Sequence, residues 1–223
     1  MVEYTIVRSK RKTTAIYVRD GIVEVKAPLK MPVHAIDRFV TSKEVWINEK
    51  LDKLHEQTAQ RKAFVLTYDT KVLYRGSEYP ISAREGTMVG FDDSGFFIPP
   101  NLSEEEIRRA CEIIYRMLAK SHLTMRTMEL AENIGLYPSN IKINGAKTRW
   151  GSCSAKKSIN FSWRLIMAED PVIDYVIVHE LSHLKELDHS ARFWAVVESA
   201  LPDYKEHKAK LTQLQNRMSA ENW

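Results

Sequence analysis

The chain has 223 residues, of which 44% are hydrophobic and 28% are charged, and it contains only eight glycines and eight prolines. This composition supports a packed globular core and excludes a mostly disordered or fibrous chain. The net charge of +4 permits an anionic partner without requiring one, and the two cysteines are too few for a disulfide framework or a cysteine-rich zinc site.

The first hundred residues predict a β-rich region with a helical insertion. Apolar and polar residues alternate in three early segments, and Asp20-Gly21 predicts a hairpin turn between the second and the third. Pro32 and Ser42 are suitable residues for starting helices, so two helices are expected next, the second running to about residue 57. Short segments punctuated by glycines then predict a β meander or small barrel. The predicted strands cover residues 4–7, 15–18, 22–25, 64–68, 71–74, 78–83, 88–92 and 96–98.

The segment Pro99-Pro100-Asn101 predicts a boundary between a β-rich region at residues 1–100 and a second domain at residues 101–223. Ser103 and Glu106 form a capping-box pattern before a long helix that ends near Gly135. The predicted class is therefore α+β. Further strands are expected at residues 141–143, 149–153 and 159–163, and further helices at 171–187, 190–200 and from 202 onwards.

His179, Glu180 and His183 form the pattern HExxH. Two histidines four residues apart lie on one face of a helix, so both imidazoles can reach a single Zn²⁺ ion. Glu180 lies beside that face, where it can polarise a metal-bound water without being a ligand. Both histidines also miss the apolar stripe of the helix, as expected of a pair that lines a cleft. The predicted stripe consists of Ile173, Ile177, Leu181 and Leu184.

A catalytic zinc site needs a third protein ligand and keeps one open position. His189 is the leading candidate, because it lies where one helix ends and the next begins, and a chain reversal there would bring it back to the metal. Glu198, on the following helix, is the alternative, as in zincins whose third ligand is a glutamate. Spacing favours His189 without excluding Glu198.

Several longer motifs follow one another in a fixed order between residues 141 and 204. They are RWGSCS at 149–154, NFSWRL at 160–165, VIDYVIVHELSHL at 172–184, HSARFW at 189–194 and PDY at 202–204. In these motifs the sequence resembles the YgjP-like family of HExxH metal-dependent hydrolases, which is related to minimal gluzincins and SprT-like zinc peptidases. The resemblance implies a zincin-like second domain with a zinc cofactor. It also implies that His179, His183 and His189 are the zinc ligands and that Glu180 is the general base.

The predicted chemistry is metal-assisted hydrolysis, with Glu180 taking a proton from the attacking water. Tyr204, Arg192 and Arg149 are the candidates for stabilising charge in the transition state, and spacing does not separate them. The segment at residues 149–154 is predicted to be an edge to which an extended peptide adds as another strand. By family resemblance, peptide-bond hydrolysis is the first prediction.

Two alternatives stay open at this point. Activities within the family also include nucleotide pyrophosphohydrolysis with UTP, and a set of basic residues could hold a triphosphate, although solvated loop charges are the simpler interpretation. In the other alternative the zinc is structural and the protein is a binding module, for which Glu180 would be dispensable. The basic residues are Arg8, Lys10, Arg11, Lys12, Lys147, Arg149, Lys156 and Lys157.

The start of the chain lacks the apolar core of a signal peptide, and no stretch approaches the roughly 18 apolar residues of a membrane span. Because the chain has only two cysteines, it fits a reducing compartment, and the predicted location is cytoplasmic. The expected partner is a peptide or a small anionic substrate. Neither a membrane nor a specific nucleic-acid site is expected, and the sequence does not indicate the oligomeric state.

Overall fold

The computed structural model describes residues 2–19 and 21–223, with their side chains except those of residues 57 and 60–63. The chain divides into two compact units, Met1–Phe64 with Ser219–Asn222 and Val65–Met218 with Trp223. The described residues form six α-helices and three small sheets, which confirms the α+β class. The strands between residues 71 and 98 belong to the second unit. The predicted boundary after residue 100 concerns which parts of the chain fold independently, and it stays a prediction.

The first unit combines a three-stranded sheet with two helices. Its strands are β1 (Thr5–Ser9), β2 (Ala15–Arg19) and β3 (Ile22–Pro28), and its helices are α1 (Val33–Thr41) and α2 (Glu44–Ala63). Strand β3 is central, parallel to β1 and antiparallel to β2. Alternate residues of β3 point into a core that is completed by the two helices, so the period-two pattern of this strand is confirmed.

Two details of this unit differ from the sequence-based expectations. Ser42 does not start α2, because its hydroxyl donates to the carbonyl of Phe39 at the end of α1, and α2 begins at Glu44. Helix α2 also continues to Ala63, past the predicted end at residue 57. Of the predicted turn at Asp20-Gly21, Asp20 lies outside the described residues, whereas Gly21 has a φ of 77°.

The second unit opens with a four-stranded sheet in the order β4-β5-β7-β6. Its strands are β4 (Lys71–Tyr74), β5 (Ser77–Ala83), β6 (Gly90–Asp92) and β7 (Gly95–Ile98). Because β5 pairs with β7 in parallel, the prediction of a meander was wrong. The strand predicted at residues 64–68 is absent: the chain turns there, with Asp69 at a φ of 70° and the Tyr68 hydroxyl donating to the carbonyl of Pro99.

Helix α3 (Glu104–Ile134) runs between the two ends that the sequence predicts. The Ser103 hydroxyl accepts from the amide of Glu106, and the Glu106 carboxylate accepts from the amide of Ser103, which completes the capping box. At the other end Gly135 adopts the left-handed conformation with a φ of 68°. Local signals therefore set both bounds of this helix.

A third sheet and three helices follow. The strands are β8 (Asn140–Asn144), β9 (Gly151–Cys153) and β10 (Ser158–Ser162), in the order β8-β10-β9, so β9 is an edge strand. A 3-10 turn (Trp163–Met167) leads to α4 (Asp170–Ser182), α5 (Ala191–Ala200) and α6 (Tyr204–Ala220). Within the described part of the chain, no helix is both long enough and apolar enough to cross a membrane.

Candidate metal centre

Helix α4 carries the HExxH pattern and is buried on nearly every face. Ile173, Ile177 and Leu181 of the predicted stripe are fully buried, as expected, but Val172 and Val176 on the histidine side are buried as well. Leu184 lies beyond the helix and is only partly buried. The stripe is therefore part of a wider buried surface. Helix α4 is stabilised by packing on several faces and not by one apolar face alone.

The end of α4 differs from the prediction, and the difference shapes the site. The helix was expected to reach residue 187, but it ends at Ser182 with His183 as its C-terminal cap. The amides of Lys185 and Glu186 donate to the carbonyl of Ser182, so the chain reverses within a few residues. This early reversal returns His189 towards α4.

The reversal brings the three predicted histidines together. The Nε2 atoms of His179 and His189 are 3.0 Å apart, and one ligand nitrogen from each of His179, His183 and His189 lies within 4.8 Å of the others. Glu198 is exposed on α5 and does not belong to this group, which is the one cluster of potential metal ligands found among the described residues. The three imidazoles could hold a metal ion together.

The chemistry of the three nitrogens fits zinc. A tetrahedral zinc ion bound at about 2.0–2.1 Å keeps its ligand nitrogens about 3.3 Å apart, close to the 3.0 Å separation of His179 and His189. The Nδ1–H of His183 donates to the carbonyl of Glu186 at 3.1 Å. Because a carbonyl can only accept, this bond places the proton on Nδ1 and leaves the Nε2 lone pair for a metal.

Phe193 is a shared packing partner of the three histidines that sequence reasoning missed. Its ring centroid lies 4.9 Å from that of His179, 4.5 Å from that of His183 and 4.7 Å from that of His189. The Phe193 side chain is fully buried on the first turn of α5. The sequence signal was an aromatic residue four positions after His189 inside the HSARFW motif. The three imidazoles therefore share one aromatic packing partner.

Burial favours the neutral form of His179 and His183. The pKa of His179 is lowered to about 3, first by burial and then by the neighbouring charges of His183, His189 and Lys208. Burial also lowers the pKa of His183, although its bond to the Glu186 carbonyl acts in the opposite direction. Neutral imidazole is the form that binds metal.

Glu180 directly follows His179 in the chain and lies in a confined space. Its side chain is 5% exposed, and burial raises its pKa to about 7, while the charge of Arg149 acts to lower it. Its Oε2 atom is buried and has no hydrogen-bond partner. On β9, burial and then the charge of Glu180 raise the pKa of Cys153, in line with the contact between α4 and β9. The carboxylate thus faces the edge strand.

The three candidates for stabilising a transition state have different surroundings. Arg149 is close enough to Glu180 for its charge to influence the carboxylate. The Tyr204 ring is buried and stacks on the Trp194 ring at 5.3 Å. Arg192 has a side chain that is 79% exposed, with its Nε 3.4 Å from a carboxylate oxygen of Glu186. Their roles stay predictions, and Arg192 has the least enclosed position.

Tyr175 is a further residue near the site that the sequence analysis did not select. It lies one turn before His179 on α4, and their ring centroids are 6.0 Å apart. The pKa of Tyr175 is raised to about 12, first by burial and then by the charges of Tyr204 and Glu180. Its position four residues before the first ligand was the available signal.

The basic residues considered for a triphosphate are divided between the two compact units. Four of the eight lie in the first unit and four in the second. The guanidinium of Arg8 already donates to the carbonyls of Pro28, Leu29 and Met31 within the first unit. Arg149 is the member whose charge acts on Glu180.

Comparisons with known proteins found one matching family and several similar solved structures. No curated protein matches the chain. Among solved structures, it is similar to the metallopeptidase zymogen abylysin of Pyrococcus abyssi, with 26% identity and a TM-score of 0.39 over 42% of this chain and 95% of abylysin. It is also similar to the zymogen jannalysin of Methanocaldococcus jannaschii, with 22% identity and a TM-score of 0.37 over 41% and 94% of the two chains. The model of the YgjP-like metallopeptidase domain matches residues 12–214. The chain therefore belongs to the YgjP-like family of metallopeptidase domains.

Proposed function

We propose that the protein is a zinc-dependent peptidase in which His179, His183 and His189 hold the metal and Glu180 is the general base. The observation that carries this proposal is the convergence of three imidazole nitrogens within 4.8 Å, next to a buried carboxylate on the same helix. Membership of a metallopeptidase-domain family supports the peptide bond as the target.

Each residue has a defined part in the proposed reaction. The three histidines would hold zinc as neutral imidazoles, and the ion would supply a Lewis acid that lowers the pKa of a water to about 7 and polarises a carbonyl. Glu180 accepts the proton of the attacking water at its carboxylate and returns it to the leaving amine. The Glu186 carbonyl fixes the tautomer of His183, and Phe193 holds the ring orientations.

Strand β9 supports an extended peptide as the substrate. Among the described residues it pairs with β10 on one side and with no strand on the other. A peptide added to that open side would form main-chain hydrogen bonds with the strand that faces Glu180. This arrangement suits a substrate that is recognised by its backbone.

Two observations weigh against the alternatives. A purely structural zinc site gains nothing from a buried carboxylate whose Oε2 has no partner, because burying such a group costs free energy. For the nucleotide alternative, Arg8 is already bonded to three carbonyls. The proposed location is the cytoplasm, supported by the free thiols of Cys111 and Cys153.

The experiment is a screen of the purified, zinc-loaded protein against a peptide library and a nucleotide panel with pyrophosphate detection. Peptide cleavage is expected, and Glu180→Gln should lower kcat by about 10²- to 10⁴-fold while zinc content and the circular dichroism spectrum stay unchanged. Activity that survives this substitution would contradict the role of Glu180. Pyrophosphate release without peptide cleavage would replace the peptide by a nucleotide as substrate.

A further inference from the structure

Gly151, the first residue of β9, lies in direct contact with the Glu180 side chain. A Cβ atom added to Gly151 would lie 2.5 Å from Oε1, 2.6 Å from Cγ and 2.7 Å from Cδ of Glu180. Separations this short are incompatible with van der Waals contact between non-bonded atoms. The strand can therefore occupy this position only because residue 151 has no side chain.

The backbone itself does not require glycine at this position. Gly151 is not among the residues with positive φ. It pairs in regular antiparallel register with Phe161, and the flanking amide of Ser162 donates to the carbonyl of Trp150 at 2.8 Å. A glycine inside a regular strand weakens that strand, so an alanine would be favoured here by backbone energetics alone. The close approach of Glu180 is the one feature that accounts for the glycine.

The Glu180 carboxylate has little freedom to avoid an added methyl group. The side chain is buried, and Ile177, three residues before it on α4, is fully buried too. A side chain at position 151 would push the carboxylate away from its present orientation. The contact with Gly151 therefore constrains where the carboxylate lies on the β9 side of α4.

We propose that Gly151 is a positioning residue for Glu180: it lets the edge strand lie directly against the carboxylate and holds this group in the orientation needed for proton transfer. The inference rests on the proposed function of Glu180 as general base. It also gives β9 two roles, because the strand that positions the base is the strand to which the peptide would add. One contact would thus set the register between the substrate backbone and the base.

The first test compares Gly151→Ala with the matched control Gly145→Ala. A Cβ at Gly145 meets a terminal nitrogen of the flexible Arg116 side chain at 2.8 Å and the Trp163 indole nitrogen at 3.7 Å, so it can be accommodated. We expect Gly151→Ala to lower kcat by about 10- to 100-fold with little change in KM or in zinc affinity. Gly145→Ala should behave like the unmodified protein. An unchanged kcat for Gly151→Ala would overturn the inference.

A double-mutant cycle separates positioning from a general loss of structure. Glu180→Ala removes the three atoms that the new methyl group would meet. If Gly151→Ala lowers stability in urea unfolding, combining it with Glu180→Ala should restore much of that stability, because the crowding is gone. Strictly additive losses would overturn the inference, and this readout does not depend on activity.

A crystal structure of zinc-loaded Gly151→Ala gives the direct measurement. The Glu180 carboxylate should be displaced by about 1 Å or more, whereas the three histidines keep their places. A carboxylate that has not moved would overturn the inference even if activity falls. If Glu180→Gln retains activity, the proposed function fails. If Glu180→Gln is inactive and Gly151→Ala is fully active, only the positioning role fails.

Discussion

Helices α3 and α4 pack against each other in the same compact unit, yet they are stabilised in different ways. Helix α3 has a complete capping box at Ser103, a left-handed glycine at its end and surface ion pairs between residues four apart, such as Glu105 with Arg109. Each of these devices is local, because it involves residues within one or two turns. Local interactions within the sequence of α3 therefore stabilise its two ends.

Helix α4 has fewer such devices, namely Pro171 and the acidic Asp170 in its first turn. Its N-terminal cap residue, Glu169, makes no side-chain capping bond, and the helix buries apolar residues on several faces. It also carries the buried Glu180 and Ser182. Burial of polar groups in a short helix is unfavourable unless packing elsewhere compensates for it. The comparison teaches that both helices rely on packing along their length, but that local signals set the ends of α3 whereas tertiary packing sets the end of α4.

The largest predicted effect concerns the reversal at the end of α4. His189→Ala should lower zinc affinity by at least about 100-fold, because it removes one of three nitrogens that converge on one point. Glu198→Ala is the control, since Glu198 is exposed and should leave the affinity unchanged. Competition titration with a chromophoric chelator measures both. A larger loss of zinc affinity for Glu198→Ala than for His189→Ala would instead assign the third ligand position to Glu198.

The second prediction concerns the link between the two helices. Arg126 of α3 donates through two nitrogens to both carboxylate oxygens of Asp174 on α4, each at 2.7 Å, and the Asp174 side chain is only 18% exposed. Asp174→Asn should lower the free energy of unfolding in urea by about 1–2 kcal/mol. The matched change in the exposed pair, Glu105→Gln, should cost less than about 0.5 kcal/mol. Equal losses would mean that α4 does not depend on this link.

The third prediction concerns the capping bond of Ser103 at the start of α3. Ser103→Ala should cost about 1 kcal/mol of unfolding free energy, because the amide of Glu106 loses its acceptor. Ser121→Ala, at an exposed position in the middle of the helix, should be neutral or slightly stabilising. Urea unfolding of the two variants under identical conditions measures the difference. A neutral Ser103→Ala would show that packing also holds the start of α3.

The smallest predicted effect is a pH dependence of the folding stability, which arises from His122 where α3 and α4 meet. Burial is the largest cause that lowers the pKa of His122 on α3, followed by the charge of Arg75 and, with a smaller effect, that of Arg126. The carboxylates of Asp170 and Asp174 on α4 act in the opposite direction. With a folded pKa below the unfolded value of about 6.5, the unfolded chain binds the proton more readily. Stability should therefore fall as the pH drops below about 6.5.

His122→Gln tests this linkage. Thermal or urea unfolding measured between pH 7.5 and about 5 should show a smaller loss of stability on acidification for the variant than for the unmodified protein. The informative quantity is the difference between the two slopes, because other groups titrate in both proteins. Parallel curves would contradict the assigned role of His122.

The two helices also show what sequence reasoning can reach. Both bounds of α3 were predicted from Ser103, Glu106 and Gly135, because caps act over a few residues. The end of α4 was placed five residues too late, because residues 183–187 contain no glycine or proline and the reversal there depends on packing. The parallel pairing of β5 with β7 is likewise a contact between distant segments, and local patterns do not encode it.

The candidate site could likewise be predicted only in part. The spacing of His179, His183 and His189 was sufficient to select the residues that the fold brings together. The contact of Gly151 with Glu180 and the packing of Phe193 on the histidines could not be derived, since each joins two elements whose approach is a tertiary property. A glycine inside a strand pattern was the available hint of a close backbone approach.

The shared contact of the three histidines with Phe193 has a consequence for how the protein would handle its metal. Small zinc domains that are organised by the ion lose their fold when it is removed. Here the three imidazole rings pack against a fully buried phenylalanine, so we expect the ordering of these rings to precede metal binding. Loading would then be an exchange with the surrounding pool of free zinc, and the fraction of active molecules would follow metal supply without a cycle of unfolding and refolding.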